Sequence, residues 1–326
     1  MKIVLSRLDR LGDLILSTPT IHTLRRAYPE AEIHIVCSEQ NVAAVRENRD
    51  LDAIFVAEAS GESPSGIGQL LRDADIAIAL APQGKDLSLV GATRAPRRIG
   101  YTYVRRYFTR LRAKICLTDL LLSQADPALS ERDPARPVKH EVEQLLELAT
   151  AAGAREHSHD LVLPLTKKDR RAVAHLPKRR ITVHLAPRWL RDGSSEASFV
   201  ELLRGLREFG APIVVTYAPE TEEVASRIAG FADRVVGGLS FGAWAAAFER
   251  AACVLTVDTG AVHVASALKR PTVVLFEHRH FHLNSREWAP WKVPSYLARK
   301  PQDDSPAALA ASRRELHAAV GRLLSV

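Results

Sequence analysis

The chain has 326 residues, 46% hydrophobic and 25% charged, with a formal net charge of +7, which is the balance of a globular protein long enough for two domains, not of a disordered or fibrous one. Charges come too early in MKIVLSRLDR for a signal peptide, and no apolar run reaches the ~18 residues needed to span a bilayer. Cys37, Cys116 and Cys253 are far apart with no C-x-x-C pair, so a disulfide framework is excluded and a cytoplasmic protein with free thiols is expected.

Residues 2–5 form a short apolar run of strand type, and 14–27 carries apolar residues at helical spacing. Gly12 and Asp13 of RLDRLGDLILSTP (7–19) therefore fall on the connecting turn. A carboxylate there stands at the C-terminal edge of a parallel strand, where open α/β sheets bind ligands, and Gly12 lets the backbone approach one closely. Asp13 is the leading candidate for a catalytic base, with helix capping as an alternative or additional role. Strand-like runs at 33–36, 53–56 and 76–80 alternate with helical patterns at 41–47 and 67–72, as in a parallel sheet with crossover helices. D-x-D strings at 50–52 and 73–75 precede their strands, at the edge away from Asp13, and read as turn and helix-end residues, not as metal ligands.

From Arg94 to Lys114 there are eight Arg or Lys and no acid, interleaved with Tyr101, Tyr103, Tyr107 and Phe108. Such a patch suits a phosphorylated glycolipid or membrane surface, or a nucleic acid, or it is a solvated basic face whose aromatics pack inward. The polar, proline-broken 123–137 reads as a loop and 139–152 as an amphipathic helix. The pattern breaks again near 163–168, so the expected domains are 1–165 and 166–326.

The second half repeats the scheme, with strands at 181–184, 213–216, 234–236, 254–257 and 272–276. In VDTGAVHVASALKRPTVVLF (257–276), Asp258, Thr259 and Gly260 form the turn before a helix starting near Val262. The amides of Thr259, Gly260 and Ala261 would then form a helix N-terminus, which suits a diphosphate. Asp258 is a poor neighbour for an anion and fits sugar hydroxyls or orienting the loop, while an ordinary capped turn is the plainer alternative. In 277–292, Glu277, His278, His280 and His282 suggest a metal site if they alternate on a strand. No cysteine supports one, and a hydrated loop without metal is expected. Residues 307–324 read as an amphipathic helix.

Several of these pieces, in order, resemble the signature regions of glycosyltransferase family 9, the bacterial lipopolysaccharide heptosyltransferases. They are the G-D turn with T-P along its helix, ENRDLDAIFV (47–56), ATRAPRRIGY (92–101), HEVEQLLELATAAGA (140–154), ITVHLAP (181–187) and DTGAVHVA (258–265). The resemblance implies an α/β, GT-B architecture: two Rossmann-like domains with parallel sheets facing a central cleft, the first for acceptor and the second for donor. In that architecture the terminal helix often crosses back to the first domain, a role open to 307–324. The implied reaction is an inverting, metal-independent and cofactor-free transfer of a sugar, heptose foremost, from an ADP-sugar to a lipopolysaccharide-core or other glycoconjugate acceptor. Asp13 matches the family's proposed base, and Asp258, Thr259, Gly260 and His263 its donor motif. Glu220 aligns near the nucleotide ribose.

The resemblance also tips the 94–114 patch toward the acceptor or the cytoplasmic face of the inner membrane, with Arg97, Arg98 and Tyr101 as acceptor contacts and nucleic acid as the lesser reading. Two departures stand out. In APRWLRDGSSEASF (186–199), Phe199 keeps the family's aromatic, but Asp192 or Gly193 occupies the place of its lysine, leaving Arg188 or Arg191 to meet the departing diphosphate. After Phe276 the family has Gly and a small polar loop, whereas this chain has Glu277 and the histidines. These departures leave open a different donor sugar, a protein acceptor, or a nucleotide-sugar-binding protein without catalysis.

Overall fold

In the computed structural model residues 1–325 are described, Ala128 through its backbone alone, and Val326, the last residue of the second expected domain, lies outside them. The chain divides into two compact units between Pro164 and Leu165.

The first unit runs β1 (Lys2–Arg7), α1 (Leu11–Ala27), β2 (Glu32–Cys37), β3 (Ala53–Val56), α2 (Pro64–Leu70), β4 (Ile76–Ala79), α3 (Gly84–Thr93), β5 (Arg97–Tyr103), α4 (Tyr107–Cys116), β6 (Asp119–Ser123), α5 (Pro127–Arg132) and α6 (Glu141–Ala152). Its six parallel strands lie in the order β3-β2-β1-β4-β5-β6. β1 sits at the centre, Ile3 pairing with Ile33 on one side and Ile76 on the other. Ile3, Val4 and Leu5 are all fully buried, so the strand is a continuous apolar run and not an alternating one, as helices covering both faces require.

The second unit runs α7 (Lys167–Ala172), β7 (Arg180–Leu185), α8 (Glu196–Leu206), β8 (Ile213–Tyr217), α9 (Glu222–Arg227), β9 (Arg234–Val236), α10 (Phe241–Glu249), β10 (Ala251–Val257), α11 (Gly260–Ala267), β11 (Thr272–Phe276), α12 (Phe281–Glu287), β12 (Ser295–Arg299) and α13 (Pro306–Leu324). Its order, β12-β11-β10-β7-β8-β9, is all parallel and repeats the first with β7 in the place of β1. In each sheet the chain builds outward on one side of the first strand and then returns to build on the other. A switch point therefore lies between β1 and β4, and another between β7 and β10, and at such points open α/β sheets bind ligands at the carboxyl ends of the strands.

Three sequence expectations are corrected. α1 begins at Leu11, with Arg10 extended as its N-cap, so Gly12 and Asp13 belong to the first helical turn, where a carboxylate favours the helix dipole. The helix expected at 41–47 is only the 3-10 turn Val42–Ala44. Asn41 there accepts from the Ser38 amide at 3.0 Å and donates to the carbonyls of Arg7 and Asp9 at 2.9 and 3.1 Å, bonds that compete with a helix and that shape the loop after β1. α5 interrupts the expected loop, with Asp126 accepting from the Leu129 amide at 3.0 Å as its N-cap. In α13, Leu316, Ala319, Val320 and Leu323 complete the core of the second unit with Leu202, Leu203 and Leu255.

Pro19 lies inside α1 and cannot donate to the Ile15 carbonyl. The Thr18 hydroxyl does so instead at 2.7 Å, and it also accepts from the Val162 amide at 2.9 Å. The T-P pair thus keeps the helix continuous and ties the end of the first unit to it. Among the described residues, no helix is long and apolar enough to cross a membrane.

Candidate active site

The carboxyl edge of the first sheet gathers charge around Arg7, the last residue of β1. Its side chain is 2% exposed. Nε donates to Asp9 at 2.7 Å, and Nη1 donates to Glu141 at 3.0 Å and to the Leu80 carbonyl. Nη2 lies 3.7 Å from Asp13 Oδ1, an ion pair longer than a hydrogen bond. The Tyr101 hydroxyl donates to both Glu141 oxygens at 2.9 and 3.1 Å. Asp86 is fully buried beside the cluster and accepts from Ser6 Oγ at 2.7 Å and the Leu8 amide at 3.1 Å. Asp13, Asp86 and Glu141 each sit in the first turn of a helix, α1, α3 and α6, where the dipole favours negative charge.

One guanidinium thus faces more carboxylates than it can neutralise. Burial, helped by Asp9 and Glu141 and opposed by Arg7 and Arg10, pushes Asp13 up to about 7. Burial likewise raises Asp86 to about 6, and it raises Glu141 against the pull of Arg7. Asp13 still keeps 19% of its side-chain surface exposed. A partly exposed carboxyl that titrates near neutrality is suited to taking a proton from a hydroxyl. Beside the cluster is a cavity of about 420 Å³ whose walls include Tyr101, Arg136, Lys139 and Gln144.

The carboxyl edge of the second sheet brings together the loops after β7 and β10. Arg188 Nη1 donates to Asp258 Oδ2 at 2.7 Å and to the Asp258 carbonyl at 2.5 Å. Thr259 is the N-cap of α11 but makes no side-chain cap; its hydroxyl lies 3.3 Å from the Val257 carbonyl instead. Gly260 opens the helix and His263, within it, is 5% exposed. Arg191 is exposed. Asp192 and Gly193, which replace the expected lysine, are both left-handed, at φ 46° and 79°. Gly193 is required there, since a Cβ would stand 2.4 Å from the Pro301 carbonyl oxygen.

Lys300, just beyond β12, was not among the candidates from sequence. Its side chain is fully buried, and Nζ donates to the carbonyl of Arg188, to that of Arg191 at 2.8 Å and to Glu277 Oε1 at 3.2 Å. The ammonium therefore holds the loop that carries both arginines. No local pattern announces this, because the two carbonyls lie more than a hundred residues from Lys300.

Other candidates are elsewhere. Arg97 and Arg98 open β5, at the edge opposite Asp13. Arg97 donates to the carbonyls of Ala151 and Ala152 at the end of α6, and Arg98 to those of Cys116 and Ala95, at 2.8 and 2.7 Å. Arg97 thereby closes the end of α6 and Arg98 that of α4. Tyr101 is 2% exposed and belongs to the Arg7 cluster, not to a basic surface. Glu220 is exposed in the 3-10 turn Pro219–Thr221 after β8. Phe199 is 1% exposed and packs on Trp189 with ring centroids 5.2 Å apart, a core contact.

The histidine segment is a turn followed by α12, not a strand, so its side chains do not alternate on one face. Among the described residues no group of three or more His, Cys, Asp or Glu is placed to hold a metal ion. The D-x-D strings lie at the amino edge of the first sheet. Asp73 and Asp75 take Lys2, and Asp50 and Asp52 take His22 and Arg25.

Two units of this strand order, each with a charged site at its switch point, define the chain as a two-domain α/β protein of the GT-B class. The description "Glycosyltransferase family 9 (heptosyltransferase)" matches residues 128–306, and the chain belongs to that family and is a glycosyltransferase. It is 24% identical over 309 residues to lipopolysaccharide heptosyltransferase 3 of Escherichia coli K12, covering 86% of this chain and 82% of that one. The crystal structure of a family 9 glycosyl transferase from Veillonella parvula superposes with TM-score 0.77 at 20% identity, over 99% of this chain and 97% of that one. For E. coli ADP-heptose lps heptosyltransferase II the TM-score is 0.74 at 19% identity, over 99% and 98%.

Proposed function

We propose that this glycosyltransferase moves heptose from ADP-heptose to a lipopolysaccharide-core acceptor, with inversion and without metal or other cofactor, and that Asp13 is the general base. The observation that carries this reading is the partly exposed Asp13 carboxyl, raised to about 7 by burial beside Arg7. Asp13 takes the proton of an acceptor hydroxyl as that oxygen bonds to the anomeric carbon. The bond from that carbon to the diphosphate oxygen breaks, its electron pair leaving with the nucleoside diphosphate. A single displacement of this kind inverts the centre.

The donor belongs to the second unit. Its diphosphate is held by the amides at the start of α11 and by the positive charge of Arg188 and Arg191. Asp258 orients Arg188, His263 lies behind the turn, and Glu220 accepts ribose hydroxyls. The acceptor, a phosphorylated glycolipid, enters the cavity walled by Tyr101, Arg136 and Lys139. The names of the relatives, ADP-heptose and lipopolysaccharide heptosyltransferases, support both choices.

Two measurements test this. Calorimetry with ADP-heptose in the presence of a chelator should show binding; its absence removes the donor assignment. In a transferase assay Asp13→Asn should lower turnover by roughly 10²–10⁴-fold with donor affinity retained. Unchanged turnover removes Asp13 as the base.

A further inference from the structure

α4 is built inside out. Tyr107, Phe108, Leu111 and Ile115 are 67, 92, 62 and 76% exposed, while Ala113 is its one fully buried residue. At 100° per residue the four large apolar side chains fall within one outward stripe. The inward side is made of small residues because α3 comes close: a Cβ on Gly91 would stand 3.0 Å from the Cβ and Sγ of Cys116. The aromatics of the basic patch were expected either to meet a ligand or to pack inward, and here Tyr107 and Phe108 face outward.

The cations are arranged around this stripe. Arg112 and Lys114 flank it along the helix, and Arg105 and Arg106 precede it, both exposed. No acid occurs anywhere between residues 87 and 118. Next to Ile115 and Arg112 the surface falls into an open groove of about 750 Å³ that is also lined by Lys85. Arg105 also reaches Asp126 at 3.4 Å, and a contiguous apolar stripe rimmed mainly by cations is uncommon on a free surface.

From this geometry we infer that α4 docks the chain on an anionic phospholipid bilayer. Phe108, Leu111 and Ile115 enter the acyl boundary, Tyr107 lies at headgroup level, and the surrounding cations meet lipid phosphates. Leu111 and Ile115 have no planar face to stack on a base, which sets a bilayer above a nucleic acid as the occupant. The inference stands on the surface of α4 and is independent of the donor and acceptor proposed above.

The test is co-sedimentation of the full chain with vesicles of phosphatidylcholine alone or mixed with phosphatidylglycerol, neither containing any acceptor. Binding to the mixed vesicles, weakened by salt, is expected, with little to phosphatidylcholine alone. Phe108→Ser/Ile115→Ser should lower partitioning roughly tenfold, and Arg106→Glu/Lys114→Glu should do the same. These side chains are exposed, so thermal unfolding and ADP-heptose calorimetry of the variants should be unchanged. Three results would overturn the inference. One is no sedimentation of the wild type at low salt. Another is equal sedimentation of the apolar double variant. The third is that the stripe serves another partner: loss of a dimer in ultracentrifugation, or loss of salt-dependent RNA binding, with no vesicle binding.

Discussion

Arg188 and Asp258 pair across the switch point of the second sheet, with 2.7 Å between Nη1 and Oδ2. One follows β7 and the other β10, which are adjacent strands, so the pair welds the loop after β7 to the turn that opens α11. In the proposed donor site Asp258 would thus act through Arg188, its carboxylate being paired with that guanidinium at 2.7 Å.

Replacing Arg188 with Ala should weaken ADP-heptose binding at least tenfold, on the order of the 1.5–3 kcal/mol attached to a charge-assisted hydrogen bond. Asp258→Asn keeps a shorter-range acceptor and should cost less. Calorimetry on the two variants distinguishes direct contact from orientation: equal losses would mean that the pair acts only as a unit.

Lys300→Met should leave the carbonyls of Arg188 and Arg191 without their donor and Glu277 without its cation, lowering stability by about 1–3 kcal/mol. Donor affinity should fall with it, because the loop carrying both arginines is released. Denaturant unfolding and calorimetry check this, and a variant that lost stability but bound ADP-heptose normally would show Lys300 to be a core residue alone.

The pH dependence has a definite sign. As the proposed base Asp13 must be ionised, so kcat/KM should rise with pH through about 7. Glu141→Gln removes a negative neighbour that raises Asp13 and should move this limb to lower pH, whereas Arg7→Met removes a positive one and should move it higher. For stability, the folded carboxyl holds its proton above its ordinary 3.8, so the Asp13 contribution is fully present below that value and is lost as pH rises toward about 7. Rate profiles and unfolding at several pH values measure the two effects.

The local signals were sound where chemistry and chain order coincide. The apolar run of β1 followed by Gly12 and Asp13, and that of β10 followed by Asp258 and Gly260, carry strand, helix start and candidate side chain within a dozen residues. Where α1 begins was misjudged because Arg10, an unusual N-cap, gives no capping signal. Arg97 and Arg98 show a different limit: charge count does not tell which end of a strand a residue occupies, and theirs is the amino end, beside the carbonyls that close α4 and α6.

Amino-acid pattern by itself determined two α/β halves, the carboxylate after the first strand and the turn that opens α11, since each depends on neighbours in the chain. Only the tertiary structure decided which groups meet. Arg7 finds Glu141 across 134 positions and Lys300 finds the backbone carbonyl of Arg188 across 112, because the order of strands in each sheet, not their order in the chain, brings those loops to one edge. It also decided that the apolar side of α4 faces outward: periodicity defines a stripe, but the close approach of α3 at Gly91 selects the opposite, small-residue side for burial.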